Sequence, residues 1–369
     1  MSDAPGANYS RIDRILHRWA FAGIEIQKSL ADIEDRVYAA HIGMAPVTAP
    51  VFITSLPRAG TTLLLDLVAK IPGFVTHTYR SMPFVMCPIL WDSISRGFRR
   101  QAVERERAHG DGKTVSYDSP EAFEEILWKA FWPGKYHSNH IDLWSATDRD
   151  AEFEEFFFSH LRKLTALAPS SAAPRYLSKN NGNIARLPLL ASIFPDAVCF
   201  VPFRDPVDQA GSLLRQHRRF VKIHADDAFA RHYMEDIGHF EFGAGLKPFA
   251  FPALPGTALG SDPQGGDYWL EYWIRCYTYL LSSGGLLSSA DAQVHFVDFD
   301  HMCETPLPAI TAIAERLDGG KSLAPLRAEA GIFHPAVHYA AADIGFDAGL
   351  LERARALHGQ LMQRAINFP

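Results

Sequence analysis

"VFITSLPRAGTTLLLDLVAKI", Val51 to Ile71, decides how the rest of this chain is read. An apolar, β-branched run stops at Pro57 and passes through Ala59-Gly60-Thr61-Thr62. The chain then continues as Leu63-Leu64-Leu65-Asp66-Leu67-Val68, a helical pattern. A strand, a tight turn and a helix N-terminus form an anion site, because backbone N–H groups and the helix dipole converge there. The loop lacks the G-x-x-x-x-G-K-[ST] form that grips a triphosphate: no Lys follows Gly60, and no glycine stands at the first position. The cation is instead Arg58, ahead of the glycine. Gly60 permits close backbone approach, and the amides and hydroxyls of Thr61 and Thr62 add donors. A loop this short suits one terminal phosphate better than a triphosphate.

Around this segment, 369 residues, 47% of them hydrophobic, suffice for one large α/β domain. A net charge of −6 argues against a broad nucleic-acid-binding face and leaves room for a local anion pocket. The four cysteines, Cys87, Cys199, Cys276 and Cys303, form no CxxC pair, and they read as small buried hydrophobes in a reducing compartment. No apolar run approaches roughly 18 uninterrupted residues, so no membrane span is expected and the cytoplasm is the default location. Residues 11–40 show helical apolar spacing (Ile12, Ile15, Leu16, Trp19, Ala20, Ile24), which predicts a packed helix pair or, failing that, a membrane- or partner-facing surface.

Strand signals lie at 51–56, 197–203, 294–299 and, more weakly, 74–79. Helical patterns cover 61–70, 83–108, 120–131, 151–168, 183–194, 206–220, 267–289, 306–317 and 347–364. Short apolar strands between long helices predict a parallel sheet covered by helices on both faces. One domain, 1–369, is expected, with N-terminal helices over 1–48 and lid or substrate insertions near 110–150 and 238–267. The second insertion, rich in Gly, Pro and aromatics, reads equally as a lid or as a loose surface loop.

A second anion element lies in "CFVPFRDPVDQAGSLLRQHRRF" (199–220). Arg204 leaves the C-terminal end of a strand, where open α/β sheets bind ligands, Pro206 opens a helix, and Ser212 lies about two turns on. Between the two elements, Lys179 ends a short extended stretch in "YLSKNNGNIARLPLLASIFPDA" (176–197). Taken alone, Arg204 paired to a carboxylate, Ser212 simply packed and a solvated Lys179 are the simpler readings.

In order and spacing over roughly residues 50–317, these segments resemble the sulfotransferases that use 3′-phosphoadenosine-5′-phosphosulfate (PAPS). The likeness is closer to the bacterial and protein-tyrosine type, with a P-R-x-G-T-T loop, than to the type with Lys in the loop. "LPRAGTTLL" resembles the 5′-phosphosulfate loop, "FVPFRDPVDQAGSLL" the 3′-phosphate segment, and "VHFVDFDHMCETPLPAITAIAERL" the later strand–acidic–helix stretch. The resemblance implies a P-loop-NTPase-like fold and a PAPS donor. It implies Arg58 and Lys179 at the transferring group, Arg58, Ala59, Gly60, Thr61 and Thr62 on the 5′-phosphate, and Arg204 with Ser212 on the 3′-phosphate. The acceptor would be a hydroxyl, on a carbohydrate or small natural product. The late basic-glycine loop of that family has no clear counterpart in "KSLAPLRAEAGIFHPAVHYAAADIGF"; Lys321 and Arg327 are the nearest substitutes.

The family's glutamate base is also absent: its position falls at Tyr79, with Thr78 before it. His77 is the first candidate for general base, since an ordinary imidazole titrates near neutrality. His137, Asp118 and the Glu121, Glu124, Glu125 group are rivals. In "SPEAFEEILW" Ser119 reads as a helix N-cap and Pro120 as N1, which would leave the early carboxylates to the helix dipole. Trp128, Trp132, Tyr136 and Trp144 read as core rather than as a stacking platform. His137-x-x-His140 has the spacing of a metal pair but no third ligand, and no metal is expected. Two alternatives stay open: a divergent P-loop kinase or NTPase, and a catalytically silent nucleotide-binding module.

Overall fold

The computed structural model describes residues 11–43, 47–95, 105–106, 114–115, 119–168, 174–253, 260, 262–282 and 293–368. Its centre is a five-stranded parallel sheet. The strands are β1 (Val51–Ile53), β2 (Phe74–Val75), β3 (Arg175–Lys179), β4 (Val198–Phe203) and β5 (Gln293–Asp298), in spatial order β2-β3-β1-β4-β5. β1 is therefore flanked on both sides. Ile53 is level with Lys179 of β3 and with Phe200 of β4.

Side chains alternate across this sheet as strand geometry requires. Val51, Ile53, Leu177, Phe200 and Val297 point to one face, where they pack with helices α3 (Thr61–Val68) and α8 (Pro306–Asp318) through Leu64, Val68, Ile310 and Ile313. Phe52, Tyr176, Cys199, Val201 and Phe296 point to the other face, into the larger core. Helices α5 (Ala151–Ala166), α6 (Pro206–Asp226), α7 (Gly266–Leu281) and α9 (Ala348–Arg364) close that side. The expected α/β class, a parallel sheet with helices on both faces, is the observed one.

Local elements follow from their sequences, with four departures. The predicted 74–79 strand shrinks to Phe74–Val75, and a 3₁₀ turn takes Tyr79–Ser81. Of the predicted 83–108 helix, Pro88–Ser95 is helical and Arg105–Glu106 instead pairs antiparallel with Thr114–Val115, while 96–104 and 107–108 lie outside the described residues. Ser119 and Pro120 do not open a helix: Pro120 bridges to Thr78, and helix α4 starts later, at Glu125–Phe131. β3 has only "RYLSK" to announce it, with a cation at each end, yet all but its first residue are buried.

Helices α1 (Arg11–Ala22) and α2 (Ile24–Val37) join the fold through an ion cluster. The fully buried Lys163 of α5 reaches Glu34 at 3.1 Å and Asp35 at 3.0 Å, and donates to the Met86 carbonyl at 3.3 Å. Ala31 enters the core beside it. Trp19, counted in the inward stripe from its spacing, is instead 80% exposed. The four cysteines are buried and unpaired, as expected. Among the described residues no helix is long and apolar enough to cross a membrane. Replacing Lys163 by Met should leave Glu34 buried without its counter-charge and cost about 3–5 kcal/mol in denaturant unfolding.

Candidate functional site

The turn after β1 is held in shape by its backbone and by one glutamine. Arg58 and Gly60 both take left-handed conformations, φ +70° and +85°, on either side of Ala59. For Arg58 such a φ costs on the order of 1 kcal/mol. Gln209, buried on α6, offsets it by donating to the carbonyls of Leu56 and Pro57, both at 3.2 Å. Its side-chain oxygen accepts from Trp273 (2.9 Å) and Tyr277 (3.2 Å), and the Tyr277 hydroxyl is also bonded to Ser55 at 2.8 Å. Gly60 begins α3, whose first N–H groups have no partner inside the helix. The close approach that a missing Cβ permits at Gly60 is made by the ring of Phe299: a methyl group there would stand 2.0 Å from its Cδ2. The glycine therefore serves packing and left-handed geometry, a use the sequence reading did not foresee.

The parallel register carries the other cations to the same edge. Lys179 closes β3 level with Ile53, and Arg204 follows β4; both are buried. The Nε of Arg58 donates to the Ser212 hydroxyl at 3.1 Å, so the loop and the second element meet through side chains. Arg204 is held by carboxylates and backbone: its Nε donates to Asp300 (2.9 Å), one Nη donates to the Val337 carbonyl (2.9 Å), and Asp208 lies at 3.7 Å. Its guanidinium also lies 5.1 Å from the centre of the Phe299 ring. The stretch inspected for a basic-glycine loop does reach this place, but through the Val337 carbonyl and His338. The Nδ1 of His338 bonds Asp208 at 2.6 Å, a contact that raises the histidine's pKa. Lys321 and Arg327 are not among its contacts: Arg327 bonds Thr311, on α8.

A cavity opens beside the loop, lined by Ser55, Leu56 and Pro57, by Lys179 with Asn180 and Asn181, and by the segment from Gly238 to Phe249. Trp269, Tyr272, Leu213 and Ile141 add apolar walls. The described part of the Gly/Pro-rich stretch that follows 238, residues 238–253, packs against the body of the fold. It is anchored on α6 by Gly243 N to His217 and Ala244 N to His224, both 3.2 Å. Glu241 on this segment is the carboxylate that the sequence reading missed. It accepts from Asn181 Nδ2 at 3.1 Å, and Asn181 Oδ1 accepts from the Thr61 hydroxyl at 3.3 Å. A three-residue chain therefore ties the phosphate-loop helix to a carboxylate in the cavity wall.

The other candidate bases are differently employed. His77 does not face the cavity. It is buried, stacked on His160 and bonded to it at 2.9 Å, and burial drives its pKa down to about 3. A base must pick up a proton near neutrality, so the structure removes the ground on which His77 was selected. Glu121 accepts from the Tyr79 hydroxyl, Tyr79 standing where the family glutamate would be. Glu124 is consumed by Trp128, Asn183 and Tyr176 at 2.7–2.9 Å. For Glu125 burial pushes the pKa up, but the Arg186 guanidinium at 2.8 Å, with Tyr136 and Asn180, outweighs it and holds the carboxyl below its usual range. His137 is surface-exposed and paired to Asp142, and Asp118 lies outside the described residues. Trp128 and Trp144 are core residues, as expected.

Neutral His77 has a consequence in solution. The unfolded imidazole binds a proton near pH 6.5 and the folded one does not until about pH 3. Stability contributed by this site is present above pH 6.5 and falls by about 1.4 kcal/mol per pH unit below it. His77→Gln should flatten the acid limb of the unfolding curve while leaving the pH–rate profile unchanged, read by denaturation and turnover from pH 4 to 8.

A search of curated proteins finds no match. Among solved structures, the chain is similar to a sulfotransferase of Mycobacterium tuberculosis H37Rv at 15% identity, covering 96% of this chain and 89% of that one, TM-score 0.49. A sulfotransferase of Mycobacterium avium is 16% identical over 92% and 82%, TM-score 0.49. The sulfotransferase domain of an olefin synthase from Synechococcus PCC 7002 is 13% identical over 87% and 90%, TM-score 0.32. The model of the sulfotransferase family matches residues 50–241, from the first strand through the loop, β3, β4 and α6 to Glu241. That match spans just over half of the chain, and the chain belongs to the sulfotransferase family, enzymes of sulfuryl transfer.

Proposed function

We propose that this enzyme transfers the sulfuryl group of PAPS to a hydroxyl on a small, largely apolar acceptor seated in the cavity beside the loop. The observation that carries the reading is the lining of that cavity: Pro57 of the loop, Lys179 and Glu241 all border it. A cation, an anion loop and a carboxylate around one space are what in-line transfer to a hydroxyl requires.

In this reading the N-terminal amides of α3, those of Thr61 and Thr62 among them, and the Thr62 hydroxyl hold the 5′-phosphate, with Ala59 and Gly60 shaping the turn and the Thr61 hydroxyl kept by Asn181. Arg58 and Lys179 offset charge building on the bridging oxygen as the bond to sulfur breaks, a contribution of about 2.7–4 kcal/mol per donor in comparable sites. A sulfuryl group carries less charge than a phosphoryl group, and fixed cations and amides suffice to stabilise its transfer. Arg204 and Ser212 hold the 3′-phosphate. Arg204 has five N–H donors, and those bonded to Asp300 and Val337 keep its plane fixed while others face the ligand. Asp300 and Asp208 reduce the positive potential there, which makes this the weaker of the two anion seats.

Glu241 replaces His77 as the proposed base. Its carboxylate is oriented by Asn181 and borders the same space as Lys179, so a hydroxyl placed between them loses its proton to one and its sulfuryl-bearing partner is stabilised by the other. The walls around it, Ile141, Leu213, Phe240, Phe249, Trp269 and Tyr272, favour a flat apolar alcohol or phenol. These walls support a small natural product over a carbohydrate as acceptor. Family membership places sulfuryl transfer above the kinase and silent-module readings.

The test is transfer of radiolabelled sulfuryl from PAPS to a panel holding a naphthol and a monosaccharide. The naphthol should be sulfated and the sugar not. Glu241→Gln should lower kcat by about 10²–10⁴-fold, and Lys179→Ala by about 10²–10³-fold, with little change in KM for PAPS. Unchanged kcat in Glu241→Gln would remove it as base, and preference for the sugar would overturn the acceptor class.

A further inference from the structure

The pair His137-x-x-His140, which the transfer reaction does not use, has a third ligand in the folded chain. After the 3₁₀ turn Pro133–Lys135 the backbone reverses: Tyr136 and Ile141 bridge antiparallel, His137 N donates to the His140 carbonyl at 2.9 Å, and Asp142 N donates to the Lys135 carbonyl at 2.9 Å. This tight reversal brings three side chains to one point. His137 Nε2 lies 3.0 Å from Asp142 Oδ2, His140 Nε2 lies 3.3 Å from Asp142 Oδ1, and the three ligating atoms fall within 4.8 Å of one another. The two imidazoles stack with centres 4.4 Å apart and planes 18° off parallel.

One of the two rings is oriented by an outer hydrogen bond. His140 Nδ1 is 2.8 Å from Asn139 Oδ1. An amide oxygen only accepts, so Nδ1 carries the hydrogen, and Nε2 is the ring atom turned to Asp142. A cation between Nε2 and the carboxylate oxygen, 3.3 Å apart, would bond both. A neighbour that fixes the tautomer through the other ring nitrogen is also the usual outer partner of a metal-bound histidine.

We propose that His137, His140 and Asp142 bind a borderline divalent cation, with zinc as the best fit and solvent completing a tetrahedron. Two imidazoles and a carboxylate suit zinc, and ligand atoms at Zn–N and Zn–O distances of about 2.0–2.1 Å stand roughly 3.3 Å apart, close to the spacings already present. The three side chains are 43%, 36% and 39% exposed, which leaves the ion an entry path and a water position.

The site is a clip rather than part of the chemistry. Ile141, inside the reversal, donates to the Pro248 carbonyl at 3.0 Å and accepts from Ala250 N at 2.9 Å. Ile141 and Phe249 both line the acceptor cavity. A cation that fixes the 137–142 turn therefore fixes one wall of that cavity, where it meets the 238–249 segment.

The test uses the full chain without a histidine tag, stripped of metal. Calorimetric titration with zinc should give one equivalent bound at about 1 μM or tighter, and cobalt should give visible absorption bands of a tetrahedral site. His140→Ala and Asp142→Ala should each weaken zinc binding at least about tenfold and abolish the cobalt bands, with melting curves of the metal-free proteins unchanged. Zinc should slow hydrogen exchange at the Ile141 and Ala250 amides in the native chain only. No uptake by the native chain, or equal affinity and stoichiometry in both variants, would overturn the proposal and leave plain histidine–aspartate pairs.

Discussion

The parallel pairing of β1 with β3 on one side and β4 on the other is the constraint on which the site depends. Parallel neighbours end at the same edge of a sheet, so whatever follows each strand is delivered to one place. With Ile53 level with both Lys179 and Phe200, the loop after β1 emerges between a lysine that closes one neighbour and an arginine that follows the other. The loop lies more than a hundred residues before the lysine and the arginine in the chain. No side-chain interaction is needed to assemble them, only the ladder. The later contacts, Arg58 to Ser212 and Arg204 to Asp300, then set orientation.

Beneath that edge lies a buried polar layer. Asn180, Asn181 and Asn183 follow Lys179 directly, and their amides engage Glu125, Glu241 and Glu124 in turn. Gly182 leaves room for this: a Cβ there would come within 2.4 Å of the Glu125 carboxylate. Buried carboxylates of this kind are tolerated only when their acceptors are filled, and here Arg186, Tyr136, Tyr176 and Trp128 fill most of the rest. Glu124 and Glu125 are thereby fixed as scaffold, although Glu125 borders the cavity as Glu241 does, and Glu241, held by one amide, is the carboxylate proposed as base.

Much of the sheet edge was legible in the sequence. The strand–turn–helix at 51–68 and the strand–Arg-Asp-Pro–helix at 198–226 carry periodicity, turn and proline signals that do not depend on context. β3 was harder: "RYLSK" reads as a short extended segment, and its place beside β1 rests on the apolar Tyr176 and Leu177 between two cations. Ser119-Pro120 has the grammar of a helix start, yet tertiary pairing with Thr78 takes those residues and moves the helix to Glu125. His77 was misjudged because sequence shows an imidazole but not the ring stacked on it. Glu241 and Asp142 both lie on irregular segments, where no period links them to Asn181 or to the histidines. Phe299, which decides why residue 60 is glycine, sits 239 positions away from it.

The central claim is that two anion seats lie along one sheet edge at the spacing of a single adenosine nucleotide. Equilibrium titration of the full chain with 3′,5′-adenosine bisphosphate and with AMP tests it most directly. The bisphosphate should bind at least about tenfold more tightly, and Arg204→Ala should bring the two affinities together. Equal affinity of the native chain for both nucleotides would contradict the account.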